Sequence, residues 1–317
     1  MKLPGYSRTS LADRNSTASS PGVRLFLTVQ LFVATLVLML SMANTAAWCR
    51  DLDEVIKAGK LRHLGIVYAN FVTKDKTGLD VELMQLFAEH LGVKYEFVET
   101  TWANVLPDLL GNTVKPQGDD VAIGKETPIK GDVIATGFTE LNWRKKIVNY
   151  SEMTFPTGVW LIAQADSKLQ PIVPSGDLNK DIEMVKEKLN EVSVLGLRDS
   201  CLDPSLYQLE KTGARIQLFP IDRDLSEMIP TVMARAAETT LMDMPVALLA
   251  LEQWPGKIKV VGPVSESQAM ACAFPKSSPK LLAAFNTFFT KIKGEGTYKQ
   301  LVEKYYPSLF VYYPDPF

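Results

Sequence analysis

From residue 51 onward the chain alternates short apolar runs with amphipathic segments, and no other feature restricts its possible folds as much. Runs at 61–67, 95–98, 132–135, 147–150, 160–165, 192–197, 215–219, 240–242, 259–261 and 268–274 have the length of strands. Between them lie stretches with helical spacing. In 80–91, for example, Val81, Met84, Leu86, Phe87 and Leu91 recur at helical intervals and Gly92 follows as a stop. Helices are also expected at 52–58, 102–110, 178–190, 205–212, 224–236, 245–251, 279–293 and 297–305. Such alternation predicts an α/β fold with mostly parallel sheets flanked by helices. Segment 111–130 breaks the pattern: with Pro116, Gly118, Gly124 and Pro128 and no period, it reads as a loop or an exposed hairpin.

One stretch carries recognisable chemistry. Residues 131–151, GDVIATGFTELNWRKKIVNYS, read as a buried strand, a polar turn from Thr136 to Thr139, a linker carrying Arg144, and a second strand. Hydroxyls and backbone N–H groups are fixed donors, and a guanidinium adds a bidentate fork, so the residue types suit a carboxylate.

Composition excludes several classes. The formal net charge of -2 over 317 residues leaves no basic stripe for nucleic acid. Two histidines, His63 and His90, and three cysteines argue against a zinc site and against histidine-based nucleophile triads. No metal or cofactor is expected.

The N-terminal part has its own character. Residues 1–24 are polar and read as a disordered extension. The apolar run 25–42 follows Arg24 and ends in Ala43-Asn44-Thr45-Ala46-Ala47, the pattern of a secretory signal cut after Ala47. An uncleaved membrane anchor is the alternative, because the run approaches spanning length. Trp48 is too bulky for lipid processing at Cys49. Either way the rest of the chain is expected outside the cytoplasm, in the periplasm.

The order of motifs resembles the family-3 extracellular solute-binding proteins, the amino-acid-type receptors of ABC transporters. The matching pieces are Gly78-Leu79-Asp80-Val81-Glu82-Leu83, then Lys130-Gly131-Asp132-Val133-Ile134-Ala135-Thr136-Gly137, then Arg144 with Tyr150-Ser151 after it. Leu281-Leu282-Ala283-Ala284-Phe285-Asn286 and Gly294-Glu295-Gly296-Thr297-Tyr298 complete the set. The resemblance implies a periplasmic-binding-protein-like type II fold: two lobes with mixed sheets, joined by two crossing strands, closing on a ligand. Lobe one would be 52–156 plus 270–317 and lobe two 157–269. The insertion at 111–130 departs from the family.

The resemblance also assigns roles. The residue matching Arg144 grips the ligand's α-carboxylate; the competing reading is a surface arginine beside Lys145 and Lys146. Thr136, Gly137 and Thr139 match a hydroxyl-rich turn, with Gly137 standing where many members have a hydroxyl, so that one donor is lost. Asp243 matches the acid that pairs with the ligand's ammonium group, at the C-terminal end of a strand where α/β sheets place ligand groups; capping the helix near Pro245 is the alternative. Tyr68 and Trp102 match aromatic wall positions, with core packing as the alternative. Phe71 is assigned to the core. Arg198 and Asp199 stand where the family has a glycine and a hydroxyl residue; they add a second charged contact or pair with each other. The helix start at Pro204-Ser205 has free N–H groups suited to an anion. Cys201 and Cys272 form a disulfide or stay as free buried thiols, the second being expected because a bridge between lobes opposes opening.

The leading expectation is a monomeric, non-enzymatic binding protein that captures a small amino acid or carboxylate and presents it to an ABC permease. Two others stand beside it. One is a prephenate-type dehydratase on the same fold, with Glu140 and Asp243 as candidate acids. The other is a sensing domain tethered by 25–42.

Overall fold

The structure is a computed structural model that describes residues 49–312 except residue 119. The extension 1–24 and the apolar segment 25–47 lie outside the described residues. No helix among the described residues is long and apolar enough to cross a membrane.

In chain order the strands are β1 (Lys60–Gly65), β2 (Lys94–Glu99), β3 (Asn112–Gln117), β4 (Asp120–Glu126), β5 (Val133–Ile134), β6 (Val148–Tyr150) and β7 (Phe155–Thr157). After the first crossing come β8 (Val159–Gln164), β9 (Ser193–Gly196), β10 (Arg215–Leu218), β11 (Thr239–Asp243), β12 (Ile258–Pro263), β13 (Gln268–Met270) and β14 (Ala273–Pro275). The helices are α1 (Leu52–Ala58), α2 (Leu79–His90), α3 (Val105–Leu110), α4 (Asn142–Lys145), α5 (Leu178–Lys186), α6 (Met228–Met233), α7 (Met244–Gln253), α8 (Pro279–Gly294), α9 (Thr297–Tyr305) and α10 (Leu309–Tyr312).

Two five-stranded mixed sheets result, ordered β2-β1-β5-β14-β6 and β10-β9-β11-β8-β12. The first takes its last-threaded strand, β14, from the far end of the chain, so the chain leaves this lobe once and returns once. Both crossings run through one small antiparallel ribbon, β7 paired with β13, with Pro156 opposite Ala269. The predicted strand 268–274 therefore divides. Ala271 donates its N–H to the carbonyl of Phe138 and Cys272 donates to Ser151 Oγ, so the two residues between β13 and β14 leave the ladder.

Local conformation explains two further departures. Gln208, at φ 57°, breaks the predicted helix 205–212 into two 3-10 turns, Pro204–Tyr207 and Leu209–Thr212. Arg235, at φ 60°, lies just beyond the end of α6, and a 3-10 turn, Leu225–Glu227, precedes that helix, so the predicted helix 224–236 is short. The linker carrying Arg144 is one helical turn, α4. Segment 111–130 is the hairpin β3–β4.

The candidate stretch is anchored at both ends. Asp132 is fully buried and accepts from the Arg62 N–H at 2.8 Å, from the Arg62 guanidinium at 2.8 Å and from Arg50. This pins β5 beside β1 in parallel register, His63 facing Val133 and Leu64 facing Ile134. Beyond β5, Thr136 Oγ1 accepts from the Ile66 N–H at 3.1 Å and donates to the Ile66 carbonyl at 2.8 Å. Gly137 then adopts φ 59° and lies against the Phe71 ring, which a Cβ would meet at 2.5 Å. Gly137→Ala is expected to cost about 2 kcal/mol, from the left-handed backbone and the clash together. That lowers the thermal midpoint by roughly 5 °C, measurable by calorimetry.

Two buried titratable groups sit beneath this stretch. Asp80 Oδ2 accepts from the Gly137 N–H at 2.6 Å, yet burial pushes its carboxyl up to about 7. His63 donates Nε2–H to the Ala135 carbonyl at 2.6 Å and accepts at Nδ1 from Tyr95, and burial lowers it to about 4. Their pH effects oppose each other. As pH falls below 6.5 the unfolded chain protonates His63 before the folded chain does, so stability is lost down to about 4. As pH rises above 3.8 the unfolded chain gives up the Asp80 proton first, so stability is lost up to about 7. Between them the two slopes cancel. Asp80→Asn keeps an acceptor for Gly137 and removes one slope. Its denaturation free energy is expected to fall by about 3 kcal/mol from pH 7 to pH 4, whereas the parent stays nearly level over that range; urea titrations at several pH values read this directly.

Candidate functional site

A cavity of about 10 Å³, no larger than a single water needs, lies where the two lobes meet. Tyr68, Trp102, Thr139 and Arg144 line it from the first sheet's side, and Ser200, Cys201 and Asp243 line it from the second. Tyr68 leaves the end of β1, Thr139 and Arg144 follow β5, and Asp243 ends β11, which is buried along its whole length. These are strand C-terminal ends, where backbone geometry opens a crevice.

Arg144 is 4 % exposed and makes no ion pair among the described residues. Its guanidinium lies 4.2 Å from the centre of the Phe138 ring and 5.2 Å from that of Trp143. Nη1 donates to the Thr139 carbonyl at 3.0 Å and Nη2 reaches the Asp199 carbonyl at 3.5 Å, while Nε has no partner. Tyr150 donates to the same Thr139 carbonyl at 3.1 Å, which fixes the turn under the guanidinium.

Asp243 is 1 % exposed. Its Oδ2 accepts from the Tyr68 hydroxyl, which reaches across from the other lobe, and from the Cys201 thiol at 3.3 Å; Oδ1 has no partner. The Thr157 hydroxyl, also without a partner of standard geometry, stands beside the carboxyl and favours its ionised form. Burial raises the carboxyl above the ordinary carboxylate range, and the Tyr68 and Cys201 donors and the Arg144 charge oppose that rise. Although Asp243 precedes α7, its side chain makes no capping bond, so the capping alternative does not describe it.

Three buried polar atoms around one cavity thus make no hydrogen bond of standard geometry, Thr139 Oγ1, Arg144 Nε and Asp243 Oδ1, although the Thr139 hydroxyl stands beside the Cys201 thiol and the Thr157 hydroxyl beside the Asp243 carboxyl. Arg144 Nε is a donor, Asp243 Oδ1 an acceptor, and the Thr139 hydroxyl can be either. A buried charge without a partner is costly, and here both signs face the same space.

Other expected residues are placed differently. Trp102 is a wall, edge-on to Tyr68 at 5.3 Å. Thr136 does not line the cavity, because its hydroxyl staples Ile66. Gly137 does not line it either, and its N–H is taken by Asp80; glycine there meets a backbone need and does not mark a missing donor. Asp199 reaches Arg144 through its backbone carbonyl, with its own N–H donating to Asp203 Oδ2 at 2.9 Å. Arg198 is exposed and outside the lining. The N–H of Ser205 is also taken, by Asp203 Oδ1 at 3.0 Å, so the helix start offers less to an anion than its sequence implies. Glu140 faces away from the cavity and pairs with Lys145 at 2.7 Å. All three cysteines are free thiols, and Cys201, not singled out for a role at the site, lines it.

Past Tyr68 and Leu225 the cavity adjoins a chamber of about 680 Å³ between the lobes. Met228, Ile229, Met242 and Val246 give it an apolar floor, and Lys74, Asp224 and Glu252 give it a charged rim.

A two-lobed α/β fold with an ion-lined crevice between its sheets defines a ligand-clasping protein. The chain belongs to the bacterial extracellular solute-binding proteins, family 3, whose model matches residues 68–126 and 122–308. It is 25% identical over 239 residues to a probable amino-acid ABC transporter-binding protein of Haemophilus influenzae, covering 74% of this chain and 79% of that one. It is also 25% identical over 289 residues to membrane-bound lytic murein transglycosylase F of Desulfosudis oleivorans, covering 87% of this chain and 57% of that protein. The chain spans about half the length of the transglycosylases it matches. Among solved structures, an ancestral amino acid-binding protein, a precursor of cyclohexadienyl dehydratase, superposes with a TM-score of 0.62 at 27% identity, covering 80% of this chain and 98% of that one.

Proposed function

We propose that this protein captures an α-amino acid, or a related small carboxylate, in the cleft between its lobes and delivers it to a permease of the ABC type. The observation that carries the reading is the set of unpartnered buried atoms. Arg144 Nε and Thr139 Oγ1 suit an α-carboxylate, and Asp243 Oδ1 suits an ammonium group, all in one cavity. Both lobes supply groups, so closure and binding are coupled, with 52–156 plus 270–317 moving against 157–269. The adjoining chamber leaves room for the ligand's side chain. The amino-acid-binding relative supports this class of ligand. Export by segment 25–47 and action outside the cytoplasm belong to the same reading. The test is a thermal-shift screen of the common L-amino acids, L-cystine and small carboxylates. One of them raises the midpoint of the full chain in proportion to the logarithm of its concentration; a flat midpoint across the whole panel rejects the reading.

A second reading, an enzyme, draws on the transglycosylase and dehydratase-precursor relatives and on the raised carboxyl of Asp243. It rests on that one acid, since Glu140 faces elsewhere. Incubation with prephenate, followed by absorbance of the aromatic product, separates the two.

A further inference from the structure

The Asp243 carboxyl is held asymmetrically. Tyr68 O–H, from the lobe of the first sheet, and Cys201 S–H, from the lobe of the second, both donate to Oδ2. Oδ1 makes no hydrogen bond of standard geometry, the Thr157 hydroxyl standing beside the carboxyl, and Asp243 is among the residues that line the cavity. A carboxylate accepts on both oxygens, and each donor to one of them withdraws its lone pairs from competing partners. The position of the thiol follows from the loop that carries it. Leu197 and Leu202 close the loop backbone on each other at 2.9 Å, and Ser200 Oγ donates to the Leu197 carbonyl at 2.8 Å and accepts from the Leu202 N–H at 3.0 Å. Tyr207 O–H donates to the Cys201 carbonyl, and Gln268 of β13 donates to that hydroxyl at 3.0 Å. The thiol is thus aimed by a loop that is tied to the crossing ribbon.

We propose that Cys201 is a positioning residue of the ligand site: with Tyr68 it occupies Oδ2 of Asp243, so that Oδ1 alone is presented to an ammonium group. The proposal rests on reading the site as one for amino acids and deepens it to ligands that carry a free α-amine. It makes recognition of the amine depend on closure, because one of the two donors comes from the opposite lobe and is lost when the lobes part. The thiol acts as a donor and not as a nucleophile, since burial and the Asp243 charge push its ionisation well above the usual range.

The groups facing Asp243 are Tyr68, Cys201, Thr157 and, across the cavity, Arg144, with the Tyr207 and Tyr306 hydroxyls behind. The phenols and the thiol stay neutral through the acid range, and Asp80 and His63, buried beneath the turn, titrate in parent and variants alike, so a difference in acid limb between parent and variant reports Asp243. Removing a donor from Oδ2 makes the carboxyl easier to protonate and moves that limb to higher pH.

The test is calorimetric binding by the full chain, from pH 4 to pH 8, of the twenty common L-amino acids, L-cystine and, for the tightest of these, the same carboxylic acid without its amine. Cys201→Ala is expected to bind the amino acid about tenfold more weakly. Its acid limb is expected to rise by about one pH unit and its preference for the amine to shrink. Cys201→Ser, which restores a donor of similar size, is expected to return within about threefold of the parent. Tyr68→Phe removes the other donor from the other lobe and is expected to shift the acid limb the same way, which keeps the test alive should Cys201→Ala not fold. Unchanged affinity and an unchanged acid limb in Cys201→Ala and Tyr68→Phe, each with an intact thermal transition, overturn the proposal while leaving the amino-acid site standing. A parent protein that binds none of the panel overturns both.

Discussion

Arg144→Ala is expected to weaken binding of the tightest amino acid by at least about a hundredfold, because truncating one member of a buried charged pair costs 2–5 kcal/mol. The guanidinium is buried, stacked on Phe138, and lacks an acidic partner among the described residues, so a ligand carboxylate would supply the missing countercharge. The change reads out as loss of the ligand-induced thermal shift. Without ligand the variant is expected to be no less stable than the parent, since the substitution removes an uncompensated buried charge along with two bonds to carbonyls. Full retention of the shift would reject Arg144 as the carboxylate anchor. Arg144→Lys is expected to restore little, because an ammonium cannot reproduce the planar fork that reaches Thr139 and Asp199.

Asp243→Asn tests the opposite end of the ligand. It keeps the shape of the side chain and removes its charge. Amino acids are expected to bind about 10- to 100-fold more weakly, the worth of a hydrogen bond to a charged group. The corresponding acids without an amine are expected to lose little. Equal losses for both kinds of ligand, measured by calorimetry, would show that Asp243 supports the cavity wall and does not read the amine. The comparison also separates the binding and dehydratase readings, because a general acid is required for turnover and not for capture.

The fold was legible because it rests on local signals. Alternating strand and helix patterns, Gly92 after α2 and the proline starts of α7 and α8 are properties of neighbouring residues. At two of the boundaries that differ, a residue with positive φ stands at or just beyond the end of the element, Gln208 and Arg235. Such a conformation in a non-glycine residue is imposed by tertiary context and carries no compositional mark. The stretch 131–151 stood out for the same local reason, and two of its residues, Thr139 and Arg144, line the cavity. Its individual donors were not legible. Thr136 and Gly137 sit between Ala135 and Phe138, yet the turn sends the Thr136 hydroxyl back to Ile66 and the Gly137 N–H down to Asp80.

The sequence by itself, through its alternation and the order of its motifs, pointed to a two-lobed α/β fold and singled out Arg144 and Asp243, which the fold brings to one cavity. Only the tertiary structure decided which polar atoms are left without partners. Asp243 meets Cys201 across 42 residues of chain and Tyr68 across 175, the second contact passing from one lobe to the other. Hydrogen-bond satisfaction is a property of three-dimensional neighbours within about 3 Å, and residue type alone does not reveal it.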